Sequence, residues 1–397
     1  MKSNLFLNVI LVYFLINTGS VLALNTLITG EDTLKSKIYP QGCFPQDKLP
    51  LHITSLTSFG ERPEWSIDGI HVYFLDKAGG EVWQVDMITK ETRQITRPGD
   101  RQQGHGYYRV FCMANGDLLL CCGAERHRLY FQVLEKSLKT APKTIVGGGW
   151  DEGGEGCDEG PAVSRTSMKI AWTTPGQLQI YAGEIAYSDG QPRIINKKIV
   201  VDYKNVITVD GIKYENSIES QNWRPKKEEE LIFSQYSTIW RTVERNKPTV
   251  EIRKNSKAKS DQGSLESLGS NEGGAEVFGI NLNTGKIINY SKAPDIYDEP
   301  EGIFPDGEYT LVECNRHKPS GGTSTIDLYK LRLDGTGDTK RLTFFADVEG
   351  YRASNPVVSD DGNFIVFSGS KANMDAGQGC GLYLFDIKKF EKSHLKN

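Results

Sequence analysis

Ser354-Asn355-Pro356-Val357-Val358-Ser359-Asp360-Asp361-Gly362 leads into the apolar stretch Phe364 to Ser368. A polar start, a short apolar segment, an Asp-Gly turn and a second apolar segment spell two antiparallel strands. The same order recurs at Glu61-Arg62-Pro63-Glu64-Trp65-Ser66-Ile67-Asp68-Gly69 into His71 to Leu75, and at Pro300 to Asp306-Gly307 into Tyr309 to Cys314. Weaker copies are Tyr108 to Met113 with Asn115-Gly116 into Leu118 to Cys122, Glu159 to Ser164 into Lys169 to Thr173, and Ser220 to Pro225 into Leu231 to Ser234. A repeat of this kind decides the architecture before any single motif is read.

A third segment with strand alternation follows each pair: Glu81 to Met87, Arg128 to Leu134, Gln177 to Ile185, Ala275 to Leu282, Thr325 to Leu333 and Gly381 to Ile387. A shorter fourth follows in every unit but the last, where the chain nearly ends. His52 to Thr57, ahead of the first unit, has the character of the missing strand. The expectation is an all-β fold, a six-bladed β-propeller of four-stranded antiparallel blades, the last blade closed by an N-terminal strand. Residues 51–390 would form it, residues 254–274 being a polar, glycine-rich insertion too poor in apolar side chains to order and residues 391–397 a tail.

The phrases Pro63-Glu64-Trp65-Ser66-Ile67-Asp68-Gly69 with Ile95-Thr96, Arg341-Leu342-Thr343, and Asn355-Pro356-Val357-Val358-Ser359-Asp360-Asp361-Gly362 resemble the TolB-like, or WD40-like PD40, propeller repeat. The resemblance implies a fold and not an activity. Residues 24–50 are too few for the extra N-terminal domain of TolB itself, so it extends to the propeller alone. Related polysaccharide lyases hold manganese through histidines of a His-Pro-His start to an inner strand. Arg62-Pro63-Glu64 and Asn355-Pro356-Val357 stand at the comparable places here, so that ligand pattern is missing.

The 397 residues carry 47 Lys and Arg against 51 Asp and Glu, which supports neither a basic nucleic-acid surface nor a polybasic membrane patch. Lys2, the apolar run Leu5 to Ile16 and Val21-Leu22-Ala23 read as a signal peptide over residues 1–23, with no membrane span in the mature chain. A secreted, extracellular or periplasmic protein follows as the expectation, with residues 24–50 an N-terminal extension. Seven cysteines leave at least one unpaired within the chain. Cys112, Cys121 and Cys122 flank a two-residue turn at Asn115-Gly116 that should set Cys112 opposite Leu119. Cys43 could reach Cys157 or Cys380. Asn289-Tyr290-Ser291 is a glycosylation sequon.

In a closed set of four-stranded meanders, the links between first and second strands are tight turns, whereas those entering each first strand are long. Arg97 to Gly106, Gly147 to Asp158 and Asp202 to Glu219 belong to the long set, and binding residues concentrate on such links. The first strands begin at that face, so Arg62, Arg109, Gly160, Gln221, Glu301 and Asn355 should ring a central opening, with Glu159 beside Gly160. His105, His127 and His317 fall on or beside the same face, where three converging imidazoles would suit a transition metal. Arg62, His105, Arg109, Glu159, Gln221, Glu301, His317 and Asn355 are therefore the candidate ligand-binding set at the channel mouth. No catalytic or metal residue is assigned among them. Asp151, Glu152, Glu155 and Asp158, set among glycines, have the oxygen donors a calcium ion takes but not EF-hand spacing.

No Gly-x-Ser-x-Gly elbow, phosphate-binding loop or dinucleotide fingerprint occurs, which removes a hydrolase domain and nucleotide chemistry. A secreted, non-catalytic scaffold binding a protein or carbohydrate ligand at the long-link face and central channel mouth is the leading expectation, with no cofactor. The alternative is a carbohydrate-active lyase or hydrolase, with or without a metal, in which Glu301 works with Arg62 or His317.

Overall fold

The computed structural model describes residues 45–101, 105–149, 156–203, 207–209, 212–214, 217–244, 247–252, 273–371 and 379–394. The chain divides into two compact units, Met1–Pro50 and Leu51–Asn397. Of the first, the described part is a short turn of 3-10 helix at Pro45–Asp47. The expected signal peptide and Cys43 lie outside the described residues, as do residues 254–272 of the expected insertion.

The second unit is all-β and built from antiparallel meanders. After β1 (Ile53–Ser55), the first meander is β2 (Glu61–Trp65), β3 (His71–Leu75), β4 (Val82–Asp86) and β5 (Thr92–Gln94). The second is β6 (Gly106–Cys112), β7 (Leu118–Gly123), β8 (Leu129–Leu134) and β9 (Lys143–Gly149), and the third β10 (Asp158–Val163), β11 (Lys169–Thr173), β12 (Gln179–Ser188) and β13 (Gln191–Asp202). A parallel contact of Arg193 with Val146 joins these two into one sheet. A small ribbon, β14 (Ile207–Val209) with β15 (Ile212–Tyr214), fills part of the next link.

The fourth meander has β16 (Ile218–Trp223), β17 (Glu230–Glu244), β19 (Gly273–Asn281) and β20 (Ile287–Asn289), with β18 (Lys247–Ile252) paired to the far end of β17. Strand therefore runs ten residues further than the Leu231 to Ser234 segment read from the sequence. The fifth has β21 (Asp298–Ile303), β22 (Tyr309–Cys314), β23 (Asp327–Arg332) and β24 (Thr339–Arg341). In the last, β25 (Tyr351–Val358), β26 (Phe364–Lys371) and β27 (Leu382–Asp386) are completed by β1, Ile53 facing Phe385. The chain goes on into α1 (Ile387–His394), so residues 391–394 are helical, and buried Phe390 packs on His52 and Phe385.

Neighbouring first strands pack on one another: β2 on β6, β6 on β10, β10 on β16, β16 on β21, β21 on β25, and β25 back on β2. The core lies between successive meanders. Leu75 and Val82 meet Tyr107 and Leu120, Phe131 meets Trp172, and Phe233 packs with Ala171 and Ile218. Val277 packs with Val312, Phe345 with Phe367 and Tyr383, and Trp65 with Val366 and Leu382. This is why whole strands such as β7 are buried: both faces of each sheet are covered by neighbours.

The repeated residues have identifiable tasks. Ser66 Oγ donates to Asp68 Oδ1 at 2.6 Å and accepts the His71 N–H at 2.9 Å; Ser359 does the same with Asp361 and Phe364 at 2.6 and 3.0 Å. Gly69 and Gly362 supply the left-handed backbone, φ 69° and 70°, that the turn requires. The hydroxyls of Thr57, Thr96, Ser291 and Thr343 each accept an N–H at the start of a third strand, from Leu382, Val82, Val277 and Leu328, at 2.9–3.0 Å. That bond accounts for the Ile-Thr and Leu-Thr phrases. The Asn115-Gly116 hairpin differs from expectation: Met113 pairs with Asp117 around a three-residue loop, so Cys112 faces Leu118. Gly116 at φ 87° takes up the added residue. Cys112, Cys121, Cys122, Cys157 and Cys314 are buried free thiols.

Arg224 ties the fourth and fifth meanders. Buried, it donates to Gly307 O (2.7 Å), Leu333 O (2.9 Å), Tyr290 Oη (3.0 Å) and Glu230 Oε2 (3.0 Å). Removing one partner of a buried pair leaves the other uncompensated, so Arg224→Met should cost about 3–5 kcal/mol. Denaturant unfolding checks this; a loss under about 1 kcal/mol would contradict it.

Candidate functional site

Every first strand carries a β-bulge at the same height. Pairing slips between Glu61 and Glu64, Tyr107 and Arg109, Asp158 and Pro161, Ser220 and Asn222, Pro300 and Gly302, and Ser354 and Val357. A bulge bends the strand and re-aims side chains. Arg62, Glu159 and Asn355 sit in these bulges with φ of 52°, 62° and 48°, where non-glycine residues are uncommon. Gln221 and Glu301 are bulge residues too, as the sequence alignment placed them. In the second and third meanders the bulge residues matching Arg62 are Tyr108 and Glu159, one position before the expected Arg109 and Gly160. The bulge of β10 absorbs two extra residues rather than one, so counting along the chain slips there.

The bulges bring Arg62, Arg109, Glu159, Glu301 and Asn355 into one buried ionic group. Arg109 Nη1 lies 3.9 Å from Glu301 Oε2, and the Arg109 Nε–H points at Glu159 O at 3.4 Å. In the ring of first strands, β6 and β21 stand three places apart, so the Arg109–Glu301 pair crosses the centre. Arg62 lies 3.4 Å from Glu61 and donates to Tyr108 O at 3.3 Å. Asn355 Nδ2 reaches Glu301 at 3.4 Å, and the Asn355 N–H donates to Glu313 Oε1 at 2.7 Å. Gln221 is turned into its own sheet, donating to Ser234 Oγ at 3.0 Å.

Arg126, Glu219, Tyr236, Tyr297 and Glu313 join this group without having stood out in the sequence, and His127, which the sequence placed on the long-link face, joins it too. Arg126 pairs with Glu159, and His127 Nδ1 lies 2.6 Å from Asp158 Oδ1 and 3.3 Å from Glu159 Oε1. Tyr236 Oη sits between Glu219 Oε2, at 2.7 Å, and Glu299 Oε1, while Tyr297 Oη donates to Glu299 Oε2. A phenol has one proton and cannot serve two carboxylates at once, so either Glu219 or Glu299 supplies a second. Glu61, Glu159, Glu219, Glu299, Glu301 and Glu313 together outnumber Arg62, Arg109 and Arg126. Asp298-Glu299-Pro300-Glu301 was legible as an acidic cluster; nothing local in the sequence marked Glu219, Tyr236 or Glu313.

Protonation follows this geometry. Burial, then Glu301 and Glu299, push Glu313 up to about 8. Burial and Glu301 push Glu299 up to about 7, and burial with Glu159 and Glu299 raises Glu219 well above the carboxylate range. Glu159 is held below its ordinary value, Arg126 and Arg62 overcoming its burial. Burial and the neighbouring Arg109 and Arg126 bring Arg62 down to about 10. The Asp158 hydrogen bond raises His127.

Two expected residues make their contacts outside this group. His317 stacks on Tyr329, with Nδ1 3.1 Å from its Oη and Nε2 3.8 Å from Asp327 Oδ2, in the fifth meander. His105 lies beside Tyr130, and its carbonyl faces the Cys122 thiol. Asp151, Glu152 and Glu155 fall outside the described residues; Asp158 is buried against His127. At the tight-turn end, Arg165 of the third meander donates to Glu64 Oε1 (2.7 Å), Trp65 O (2.8 Å), Cys112 O (3.3 Å) and Asp360 Oδ2 (2.7 Å). Side chains therefore cross the centre near both ends.

Glu313 keeps its proton in the fold to about pH 8, whereas in the unfolded chain it ionises near its ordinary value of about 4.3. Between the two the folded chain binds more protons, so the stability this carboxyl gives is complete below the unfolded value and lost as pH rises to about 8. Glu313→Gln should shrink the fall in unfolding free energy between about pH 5 and about pH 8 by at least about 1 kcal/mol. Urea unfolding at both pH values measures it; an unchanged fall would contradict it.

No family model and no curated protein matches the chain. Among solved structures, it is similar to a gluconolactonase from Xanthomonas campestris (12% identity, TM-score 0.48, covering 84% of this chain and 88% of that one). It is also similar to TolB from Acinetobacter baumannii (12%, TM-score 0.45, 84% and 65%) and to an oligogalacturonate lyase in complex with manganese (10%, TM-score 0.43, 85% and 94%). At these scores, such likenesses carry no conclusion about activity.

Proposed function

We propose that the chain is a six-bladed, TolB-like β-propeller, secreted or periplasmic, acting as a non-catalytic scaffold that binds a protein or carbohydrate ligand at the long-link face. The blade count is supported by the contacts among first strands and the bulge each contains. No helix among the described residues is long and apolar enough to cross a membrane.

The observation carrying the reading is that the charged groups at the centre are engaged with one another. Arg109 and Asn355 face Glu301, Arg126 holds Glu159, and His317 keeps to Tyr329 and Asp327. Catalysis needs a base and a stabiliser turned toward a substrate, whereas a scaffold needs a rigid frame presenting its links. One observation favours the lyase or hydrolase alternative: Glu299 and Glu313, at about 7 and about 8, have the proton affinity of general acids.

A glycan and peptide array on the secreted chain, with and without chelator, followed by product analysis, separates the two. Binding without product, retained in Glu313→Gln, is expected. Polysaccharide cleavage abolished by Glu301→Gln or Glu313→Gln would replace the scaffold with an enzyme.

A further inference from the structure

Within the ionic group, one corner differs from the rest. His127 Nδ1, Asp158 Oδ1 and Glu159 Oε1 lie within 4.8 Å of one another. The imidazole is 62% exposed, while the two carboxylates are 6% and 7% exposed. Elsewhere in the group the buried acids meet arginines, tyrosines or Asn355; here they meet a neutralisable donor that is also a metal ligand.

The frame holding the three is rigid. Leu129 and Cys157 exchange both backbone hydrogen bonds, at 2.9 and 3.1 Å, clamping the link that carries His127 to the start of β10. The bulge at Glu159 turns its carboxylate to the same side as that of Asp158, although successive strand residues ordinarily face opposite ways. Arg126 engages Glu159 Oε2, leaving Oε1 toward the imidazole, as an outer partner orients a ligating carboxylate.

We propose that His127, Asp158 and Glu159 form a three-ligand site for a divalent transition ion of the zinc or manganese type, open to solvent at its remaining position. Imidazole with two carboxylates suits such ions. Calcium, which takes six to eight oxygens, finds too few here. Bonds of about 2.1 Å separate tetrahedral ligands by about 3.4 Å. The His127–Glu159 distance of 3.3 Å already meets this, and the 2.6 Å His127–Asp158 contact must open by under an ångström. The exposed imidazole is free to swing outward, displacing the proton now shared with Asp158. The site is independent of whether the protein is a scaffold or an enzyme.

The test uses the untagged, chelator-stripped chain. Calorimetric titration with zinc should give one ion per chain, and cobalt in its place should give a visible ligand-field spectrum. His127→Ala, at an exposed position, should weaken zinc at least about tenfold and abolish the spectrum and any zinc-dependent rise in Tm. His71→Ala, removing another imidazole beside a carboxylate at 3.7 Å, should change none of these. Asp158→Asn provides a second variant, with its fold checked by circular dichroism. No zinc binding, zinc binding equal in His127→Ala, or calcium bound in preference to zinc would each overturn the assignment.

Discussion

Charge buried at the centre of the molecule is the constraint on which the rest depends. The bulges in β2, β10, β21 and β25 turn long polar side chains inward, where removal from water penalises every uncompensated ion. Stability then requires that these side chains find one another across different meanders. Arg109 of β6 reaches Glu301 of β21, Arg126 reaches Glu159 of β10, and Tyr236 of β17 joins Glu219 to Glu299 of β21. Surplus carboxyls keep protons that they would lose in water, as Glu313 and Glu299 do. Arg165 imposes the same condition at the tight-turn end, engaging three other meanders at once.

The apolar layers and this polar centre divide the work. Packing between meanders supplies the bulk of the burial but is tolerant of small shifts, since hydrophobic contact has no direction. The ionic contacts are directional and set the height of each first strand against its neighbours. Closure adds a third element: β1 pairs with β27, and Thr57 accepts the Leu382 N–H, joining residues near opposite ends of the chain.

Much of the fold was legible because its local chemistry is repeated in the sequence. Ser66-Ile67-Asp68-Gly69 and Ser359-Asp360-Asp361-Gly362 encode the same turn, and the strand character of His52 to Thr57 pointed to the pairing of β1. The centre was legible only where the motif is well kept, at Arg62, Glu301 and Asn355. Tyr108 and Glu159 were displaced by one because bulges absorb one or two residues without a sequence signal. Arg165 and Tyr236 went unseen for a different reason: Glu64 and Asp360 for the one, and Glu299 for the other, lie on other meanders, and no spacing along the chain encodes such a meeting. His317 is engaged by Asp327 and Tyr329 within its own meander.

A double-mutant cycle on Arg109 and Glu301, using Arg109→Met, Glu301→Gln and the pair, measures the central interaction directly by denaturant unfolding. The two residues come from strands on opposite sides of the ring and share an ion pair at 3.9 Å. A coupling of about 1 kcal/mol or more, with the double variant losing less than the sum of the singles, is the predicted result. Additive losses, with coupling below about 0.3 kcal/mol, would contradict a centre held together by charge.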